Sequence, residues 1–290
     1  MIIGIDLGTT NSLAAYYTEH GPEIIPNRLG ERLTPSVVSI DENDQVYVGK
    51  TALERMAVYP DQTANLFKRS MGSRKEFKLG NKIFTATDLS AMVLRSLKED
   101  AEVYLGEEVT EAVISVPAYF NEVKRKAVKQ AGELAGLKVE RIISEPTAAA
   151  IAYGLYQKND NTRFLVFDLG GGTFDVSILE LFDDILEVRA VAGDNYLGGE
   201  DFTNLIVEEF YKEHGLTEES LSLKEKSYYR NQAEKSKCNA TGDGFYRMQA
   251  SVNGEKVETL IPRGAFEKMS SQLLDRIKTP VRKSLSDAGV

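Results

Sequence analysis

Short apolar runs separated by polar turns occur in two similar arrangements, one near the start of the chain and one in its middle. The first has apolar runs at residues 2–5 and 13–17, and the second has them at 164–167 and 176–181. Short apolar runs bounded by Gly, Thr and Asp are typical of strands. Each arrangement therefore predicts a strand, a turn and a second strand.

Elsewhere the pattern alternates between strand-like and helix-like periods. Strands are predicted at residues 36–40, 46–48, 109–116, 138–143, 185–191, 245–250 and 257–261. Helices are predicted at 88–106, 121–135, 145–154, 202–211, 226–239 and 264–288, and a polar linker at 157–161. We expect Asp88 and Asn121 to cap their helices and Gly106 to end the first of them. Strand, helix and strand over 109–143 require a parallel sheet, so the expected class is α/β.

The turns of the two arrangements share an order of residues. They read Asp6-Leu7-Gly8-Thr9-Thr10-Asn11-Ser12, the first loop, and Asp168-Leu169-Gly170-Gly171-Gly172-Thr173-Phe174-Asp175, the second loop. Glycines leave backbone N–H groups uncovered and Thr hydroxyls add donors, which suits phosphate oxygens. An Asp ending the preceding strand suits a hydrated, phosphate-bound Mg²⁺. One such turn is typical of an ordinary hairpin, but two, 162 positions apart, indicate a duplicated fold with a nucleotide between its halves.

Composition narrows the possible functions. At 290 residues the chain is long enough for two domains, and its net charge of −9 argues against broad binding of nucleic acid or anionic membranes. One cysteine, Cys238, and two histidines give no intrachain disulfide and no His/Cys metal cluster. Without a recognisable signal peptide or membrane span, the expected location is cytoplasmic.

Three further segments leave alternatives open. Gly49-Lys50-Thr51 fails as a phosphate-binding P-loop because Asp44 stands where the first glycine is needed, so a loop opening a helix is expected. The adjacent cations Lys68 and Arg69 are, taken alone, typical of a solvated surface. The alanine-rich helix at 145–154 reflects either helix propensity or the close approach of another backbone.

A family resemblance follows from these motifs taken together. The two loops, Glu145-Pro146-Thr147-Ala148 and Leu197-Gly198-Gly199-Glu200-Asp201-Phe202 make the chain similar to the nucleotide-binding domain of the DnaK-type 70-kDa heat-shock chaperones, over nearly its whole length. Residues 66–72 and 233–238, and the short connection before Lys226, more closely resemble the HscC-like branch. The resemblance implies the fold of the actin, hexokinase and heat-shock-chaperone ATPase superfamily, in which two RNase H-like lobes clasp ATP and Mg²⁺.

The resemblance also implies a domain organisation. Lobe I is expected at 1–157, with its core at 1–35 and 87–157 and a small subdomain at 36–86; lobe II is expected at 158–290, with its core at 158–197 and 273–290 and a small subdomain at 198–272. The family's second adenosine turn, Gly-Gly-Ser-Thr-Arg, is not found before Val290. We therefore expect an incomplete second lobe, apolar surface exposed on the last helix, and impaired ATP binding and hydrolysis.

Site residues follow from the resemblance position by position. The implied phosphate contacts are Gly8, Thr9, Thr10, Asn11, Gly170, Gly171, Gly172 and Thr173; the implied Mg²⁺ carboxylates, acting through water, are Asp6 and Asp168. The implied catalytic set is Lys68, Glu145, Asp175 and Thr173, and the implied adenosine contacts are Glu234, Lys237, Cys238 and Thr241. Cys238 is expected to be a small buried hydrophobe in the adenine pocket. Pro117 and Arg125 match an interdomain relay, and Arg141 matches a co-chaperone contact.

The implied function is ATP hydrolysis that controls a separate peptide-binding domain. Client polypeptides, a J-domain co-chaperone and a nucleotide exchange factor are the implied partners, with ATP/ADP and Mg²⁺ as cofactors. Two alternatives share the fold: a sugar or acid kinase, and an actin-like filament subunit. Phosphate release from ATP without added sugar distinguishes the chaperone ATPase from a kinase. Sedimentation with ATP distinguishes it from a filament subunit.

Overall fold

A computed structural model describes residues 1–153, 162–182, 185–240 and 244–290. We call residues 1–153 the first half and residues 162–290 the second half. Both contain strands and α-helices, which confirms the predicted α/β class. The predicted linker at 157–161 and the predicted helix end at Gly154 lie outside the described residues.

The bounds of the regular elements in the described residues are as follows. The strands are β1 (Ile2–Asp6), β2 (Asn11–Thr18), β3 (Gly21–Ile25), β4 (Thr34–Pro35), β5 (Val38–Ile40), β6 (Val46–Val48), β7 (Thr63–Ala64), β8 (Glu76–Leu79), β9 (Lys82–Thr85), β10 (Glu111–Val116), β11 (Lys138–Ser144), β12 (Thr162–Leu169), β13 (Phe174–Phe182), β14 (Ile185–Asp194), β15 (Phe245–Val252) and β16 (Glu255–Pro262). The helices are α1 (Lys50–Met56), α2 (Ala86–Leu105), α3 (Glu122–Leu134), α4 (Glu145–Ala152), α5 (Gly199–Glu213), α6 (Leu223–Cys238), α7 (Arg263–Met269) and α8 (Ser271–Asp287).

The main sheet of the first half contains the first predicted hairpin. Its strand order is β11-β10-β1-β2-β3, and β4 pairs with β2. Strands β1, β10 and β11 are parallel, so the strand–helix–strand unit predicted over 109–143 is confirmed, with α3 as its connection. Asn121 caps α3 as predicted, because its side chain accepts the Lys124 N–H. Strands β1 and β10 are parallel neighbours with Asp6 opposite Ser115, so the first loop and the Pro117–Asn121 turn follow them at the same edge of the sheet.

Helix α2 begins earlier than its predicted cap. Thr85 is the N-cap, and Asp88 is the third helical residue, whose side chain accepts the Thr85 N–H while Thr85 accepts the Asp88 N–H. This reciprocal capping box moves the start of the helix because both groups satisfy backbone donors of one turn. Gly106, in the left-handed region at φ 70°, ends the helix as predicted.

The strand predicted at 36–40 begins two residues later than predicted, at Val38. Pro35 ends β4 and Val38 begins β5, so Ser36 belongs to neither strand. The Ser36 N–H donates instead to the Thr10 carbonyl of the first loop (2.8 Å). A bond to the loop therefore replaces a bond within the sheet.

The second half contains an antiparallel sheet in the order β12-β13-β14, which includes the second predicted hairpin. The long helix predicted at 264–288 is two helices, α7 and α8, that meet at Ser270. The Ser270 hydroxyl donates to the Phe266 carbonyl (2.7 Å) at this junction. The Ser270 N–H donates to the same carbonyl (2.9 Å), so the hydroxyl adds a second bond to it, and a serine that bonds back in this way often bends a helix.

Helix α8 covers only part of this sheet. Its apolar residues Leu273, Ile277 and Val281 pack against Phe174 and Val176. Leu274 of the same helix is 42% exposed, so the expected exposed apolar surface is found at Leu274 and not along the packed stripe. Apolar side chains of β12 are exposed as well, among them Leu165 (46% exposed), Phe167 (50%) and Leu169 (40%). The apolar stripe of α8 therefore finds its partner within the chain, in Phe174 and Val176 of β13.

The buried cores do not test the predicted lobes or their boundaries. One apolar cluster in the first half includes both Ile5 and Phe67, and another joins α5, α6, β15 and β16 through Phe210 and Met248. The lobe and subdomain limits given above therefore stay predictions. In the described ranges we find no helix that is both long and apolar enough to cross a membrane.

Candidate functional site

The first and second loops face a common cleft of about 530 Å³. The predicted site residues that line it are Asp6, Gly8, Thr9, Thr10, Asn11, Lys68, Glu145, Asp168, Gly170, Gly171 and Thr173. The lining residues that the sequence did not predict are Ser115, Ala148, Ala149 and Ala152. Small alanine side chains on α4 keep this wall of the cleft open. The structure thus brings together residues that are up to 167 positions apart in the chain.

Buried serines hold the first loop in place. The Gly8 N–H donates to Ser12 Oγ (3.1 Å), and the Ser36 hydroxyl donates to the Gly8 carbonyl (2.8 Å). A Cβ atom on Gly8 would lie 1.9 Å from the Asn11 carbonyl oxygen, so the turn requires glycine here. Sequence reasoning missed the role of Ser36 because it lies 28 positions from Gly8, with no local pattern that joins them.

Three consecutive carbonyl groups of the second loop accept hydrogen bonds from outside it. Gly170 O accepts from Gly199 N (2.9 Å), Gly171 O from Glu200 N (2.9 Å), and Gly172 O from Arg69 Nε (2.8 Å). Gly199 and Glu200 are the first residues of α5, whereas Arg69 belongs to the first half. The interpretation of Arg69 as a solvated surface cation is wrong, because its side chain is 15% exposed and bonded to the loop.

The two loops touch each other. A Cβ atom on Gly171 would lie 1.8 Å from Thr10 Oγ1, and one on Gly172 would lie 2.3 Å from Thr9 Cγ2. Real Cβ atoms do not come so close to other atoms. Both glycines are therefore required by the approach of the opposite loop.

A buried ion pair lies at one end of the cleft. Lys68 Nζ is 3.0 Å from Glu145 Oε1, and the Lys68 side chain is 3% exposed. Burial raises the pKa of Glu145 to about 7; Lys68 opposes this rise, while Asp6 and Asp168 add to it. Burial, and then the charge of Asp6, also raise the pKa of Asp168. Glu145, Asp6 and Asp168 therefore repel one another, and Lys68 offsets their charge at this end of the cleft.

The acidic groups suit a hydrated cation. Among the described residues, no three His, Cys, Asp or Glu side chains are arranged to ligate a metal directly. Asp6 is instead oriented by the Ser115 hydroxyl, which donates to its Oδ1 (2.8 Å). Mg²⁺ prefers oxygen ligands and keeps several waters, and a cation here would relieve the repulsion between Asp6 and Asp168. The residues present therefore fit Mg²⁺ held through water.

Asp175 is the last residue of the second loop and does not line the cleft. It is 3% exposed, and its Oδ1 accepts the Tyr119 N–H (3.0 Å). Burial raises the pKa of Asp175 to about 6, against the opposing effect of the Tyr119 bond. Asp175 therefore joins the second loop to the turn that follows β10.

That turn contains one of the predicted relay residues, Pro117, and is bonded by another, Arg125 of α3. Pro117 is buried, and Arg125 donates to the Phe120 carbonyl (3.0 Å) and the Ala118 carbonyl (3.5 Å). The Phe120 ring lies 5.7 Å from Lys68 Nζ. Arg141, the third residue of this set, is exposed on β11. Pro117 and Arg125 thus contact a turn that reaches both Asp175 and Lys68, whereas Arg141 lies apart from it.

The predicted adenosine residues lie outside the cleft or outside the described chain. They are Glu234, Lys237 and Cys238 on α6, and Thr241, which falls in an undescribed range. Lys237 Nζ lies 2.7 Å from both Gly199 O and Thr203 Oγ1 and 2.8 Å from Glu234. Cys238 is exposed and donates to Glu234 Oε1 (3.4 Å), so the expectation of a buried cysteine is wrong. It lies in the last turn of α6 and does not line the cleft.

The family comparison agrees with this geometry. The family of the Hsp70 protein matches the chain over residues 2–78 and 74–290, so the match includes both loops, Lys68, Glu145 and α6. The matched ranges leave out only Met1. The chain therefore belongs to the Hsp70 family, and its fold is that of an Hsp70-type nucleotide-binding domain.

Proposed function

We propose that this chain binds MgATP with the phosphates between the first and second loops and hydrolyses it to ADP and phosphate. The observation that carries the proposal is the common cleft, which places glycine-rich turns, a buried lysine and three carboxylates around about 530 Å³. Phosphoryl transfer depends on positioning and charge neutralisation more than on covalent chemistry, and this set of groups supplies both.

Backbone N–H groups and threonine hydroxyls bind the phosphate oxygens in this proposal. The serines at 12 and 36 fix the first loop, and the donors at 69, 199 and 200 fix the second. Asp6 and Asp168 hold Mg²⁺ through its waters, and the ion neutralises phosphate charge. Ser115 keeps Asp6 aimed into the cleft through its 2.8 Å bond.

Lys68 and Glu145 act on the attacking water. Lys68 holds its ammonium group in the cleft, where it orients the water and balances the charge that develops on the terminal phosphate. Glu145 has a pKa of about 7, which suits a group that accepts a proton near neutral pH. Asp175 also has a raised pKa but does not line the cleft, so its part is to hold the Pro117–Asn121 turn against the second loop.

The same turn is the proposed route of control. Arg125 donates to two carbonyl groups of the turn, and the Tyr119 N–H of the turn donates to Asp175. A shift of the turn would therefore move Asp175 and, with it, the second loop. We propose that this turn reports the nucleotide state to a peptide-binding domain that takes client polypeptides. Arg141, exposed on β11, is the proposed contact for a J-domain co-chaperone, and a nucleotide exchange factor is a further proposed partner.

Affinity for nucleotide is proposed to come mainly from the phosphates. Glu234, Lys237 and Cys238 are bonded to one another or to α5, and they do not line the cleft. This supports weak recognition of adenine by the 290-residue chain and a reduced ATPase rate. Placement in the HscC-like branch is also a proposal, supported by residues 66–72 and 233–238.

Single-turnover phosphate release tests the proposed function. The chain is mixed in excess with ATP, with and without Mg²⁺, and phosphate is measured over time without added sugar. We expect release that requires Mg²⁺ and is lost in Asp6→Asn, because the carboxylate that holds the hydrated ion is removed. Release at the rate of buffer alone at saturating chain concentration would show that the cleft does not hydrolyse ATP.

A further inference from the structure

We infer that Arg69 is a positioning residue that orients the Gly172–Thr173 peptide of the second loop from the opposite half of the chain. This inference rests on the proposed function, since it concerns how the same site presents its donors to phosphate. Arg69 touches no group proposed to react. Its effect passes through the peptide that it holds.

The contacts of Arg69 cross the boundary between the halves. Its Nε donates to the Gly172 carbonyl (2.8 Å), and its Nη2 donates to Asp201 Oδ2 (2.8 Å). The same Asp201 oxygen accepts the Gly198 N–H (2.8 Å). One guanidinium therefore joins the second loop to the start of α5, with the two bonds made by different nitrogens.

The bond to the Gly172 carbonyl fixes the orientation of the Gly172–Thr173 peptide. A trans peptide is planar, so a carbonyl group and the N–H of the following residue point in opposite directions. With the Gly172 carbonyl turned toward Arg69, the Thr173 N–H is turned away from it. Thr173 lines the cleft, so the orientation set by Arg69 decides where this donor points.

The surroundings leave the peptide little freedom to find another orientation. The position of a Cβ on Gly172 would be 2.8 Å from Arg69 Nε and 2.3 Å from Thr9 Cγ2, so the residue lies between the two side chains. Guanidinium is a planar fork that makes both bonds at once, whereas an ammonium group has no fixed second donor at that spacing. Lysine at position 69 would therefore keep the charge and lose the geometry.

Arg69 is also the covalent neighbour of Lys68. Both lie in the 3-10 turn Phe67–Ser70, and Lys68 pairs with Glu145 in the first half while Arg69 bonds the second half. Closing of the second loop on Arg69 and placement of the Lys68 ammonium group are therefore linked through one short turn. This predicts that loss of Arg69 lowers kcat as well as raising the KM for ATP.

The test compares Arg69→Ala and Arg69→Lys with Arg74→Ala, a matched control at an exposed arginine near the same turn. For Arg69→Ala we expect KM to rise and kcat to fall by about tenfold or more each, because a charge-assisted bond is lost. Arg69→Lys should lie between Arg69→Ala and the unchanged chain. Added guanidinium should restore part of the rate to Arg69→Ala and none to Arg74→Ala, which loss of folding alone would not produce.

A second readout does not depend on activity. Amide hydrogen exchange of the peptide containing residues 170–173, measured without nucleotide, should be faster in Arg69→Ala and unchanged in Arg74→Ala. If the unchanged chain hydrolyses ATP but Arg69→Ala matches it in KM and kcat, the inference fails and the proposed function stands. If the unchanged chain does not hydrolyse ATP, the proposed function fails, and unaltered exchange at 170–173 in Arg69→Ala would overturn the inference on its own.

Discussion

Lys68 Nζ and Glu145 Oε1 lie 3.0 Å apart, although the two residues are 77 positions apart in the chain. The lysine comes from a short 3-10 turn and the glutamate from the first residue of α4. A buried pair of this kind is costly to desolvate and costly to break by removing one partner. Its position in the cleft makes it the first contact to test.

Lys68→Ala should abolish single-turnover hydrolysis while leaving nucleotide binding nearly intact. The ammonium group is proposed to act on the attacking water and the developing charge, and removal of such a group costs about a hundredfold or more in rate. Phosphate release and MgADP titration measure the two effects separately. Lys78→Ala is the control, since it removes an exposed lysine of the same region. If the affinity for MgADP and the rate of phosphate release fell by the same factor, Lys68 would instead act by holding the nucleotide.

Binding of MgADP should release protons near pH 7. Glu145 has a pKa of about 7, raised by burial and by its acidic neighbours Asp6 and Asp168. A cation placed among these groups favours their charged forms, so it lowers the pKa of Glu145 and expels its proton. Calorimetry in buffers of different ionisation enthalpy measures the effect, at about half a proton at pH 7. Glu145→Gln should remove most of it, and heats that do not vary with buffer would contradict the prediction.

Asp175→Asn should stabilise the fold above pH 7. Asp175 has a pKa of about 6 in the folded chain against 3.8 ordinarily, so the folded state keeps its proton where the unfolded state has lost it. The stability that this provides is complete below about pH 4 and is lost as the pH rises through about 6. Asparagine keeps an oxygen for the Tyr119 N–H and carries no charge. The gain in unfolding free energy is expected to be up to about 3 kcal/mol.

Denaturant unfolding at several pH values measures this gain. The difference between Asp175→Asn and the unchanged chain should shrink toward zero near pH 4, where both side chains are neutral. Asp61→Asn, at an exposed aspartate, should show no such trend. A difference that is constant with pH would mean that packing, and not ionisation, separates the two proteins.

Gly171→Ala should separate the two loops. The new methyl group would lie 1.8 Å from Thr10 Oγ1, so one loop must move. We expect the affinity for MgADP to fall about tenfold or more, because donors from both loops no longer meet the same phosphates. Gly264→Ala is a matched control, since a Cβ there meets no atom within 4 Å. Unchanged affinity in Gly171→Ala would show that the loops bind phosphate independently.

The sequence predicted those parts of the site that have a local pattern. The first and second loops were found from residue order alone, since strand, Asp, Gly and Thr follow one another within a few positions. The strand–helix–strand unit and the Asn121 cap were found from periodicity and capping rules. Asp88 was assigned to the wrong position of its helix, because a capping box places an acidic residue three positions inside.

Other parts of the site depend on packing between distant segments. Nothing local distinguishes Lys68 from a solvated lysine; its burial against α4 arises from the fold, and only the family resemblance pointed to it. The contacts of Arg69 and Ser36 are not predicted for the same reason, since their partners are 103 and 28 positions away. The exposure of Cys238 depends on which side of α6 packs against α5 and β15, and the helix pattern alone does not give that.

The start of α5 never meets the cleft, because its first N–H groups bond to the Gly170 and Gly171 carbonyls. The aligned peptides of this 15-residue helix place about half a positive charge at its N-terminus. Two loop peptides lie in that field with their carbonyl oxygens toward it, and hydrogen bonds in series polarise one another. The N–H groups at the far side of those peptides therefore become stronger donors. In the proposed nucleotide complex, the helix macrodipole would act through them on phosphate charge that the helix itself does not touch.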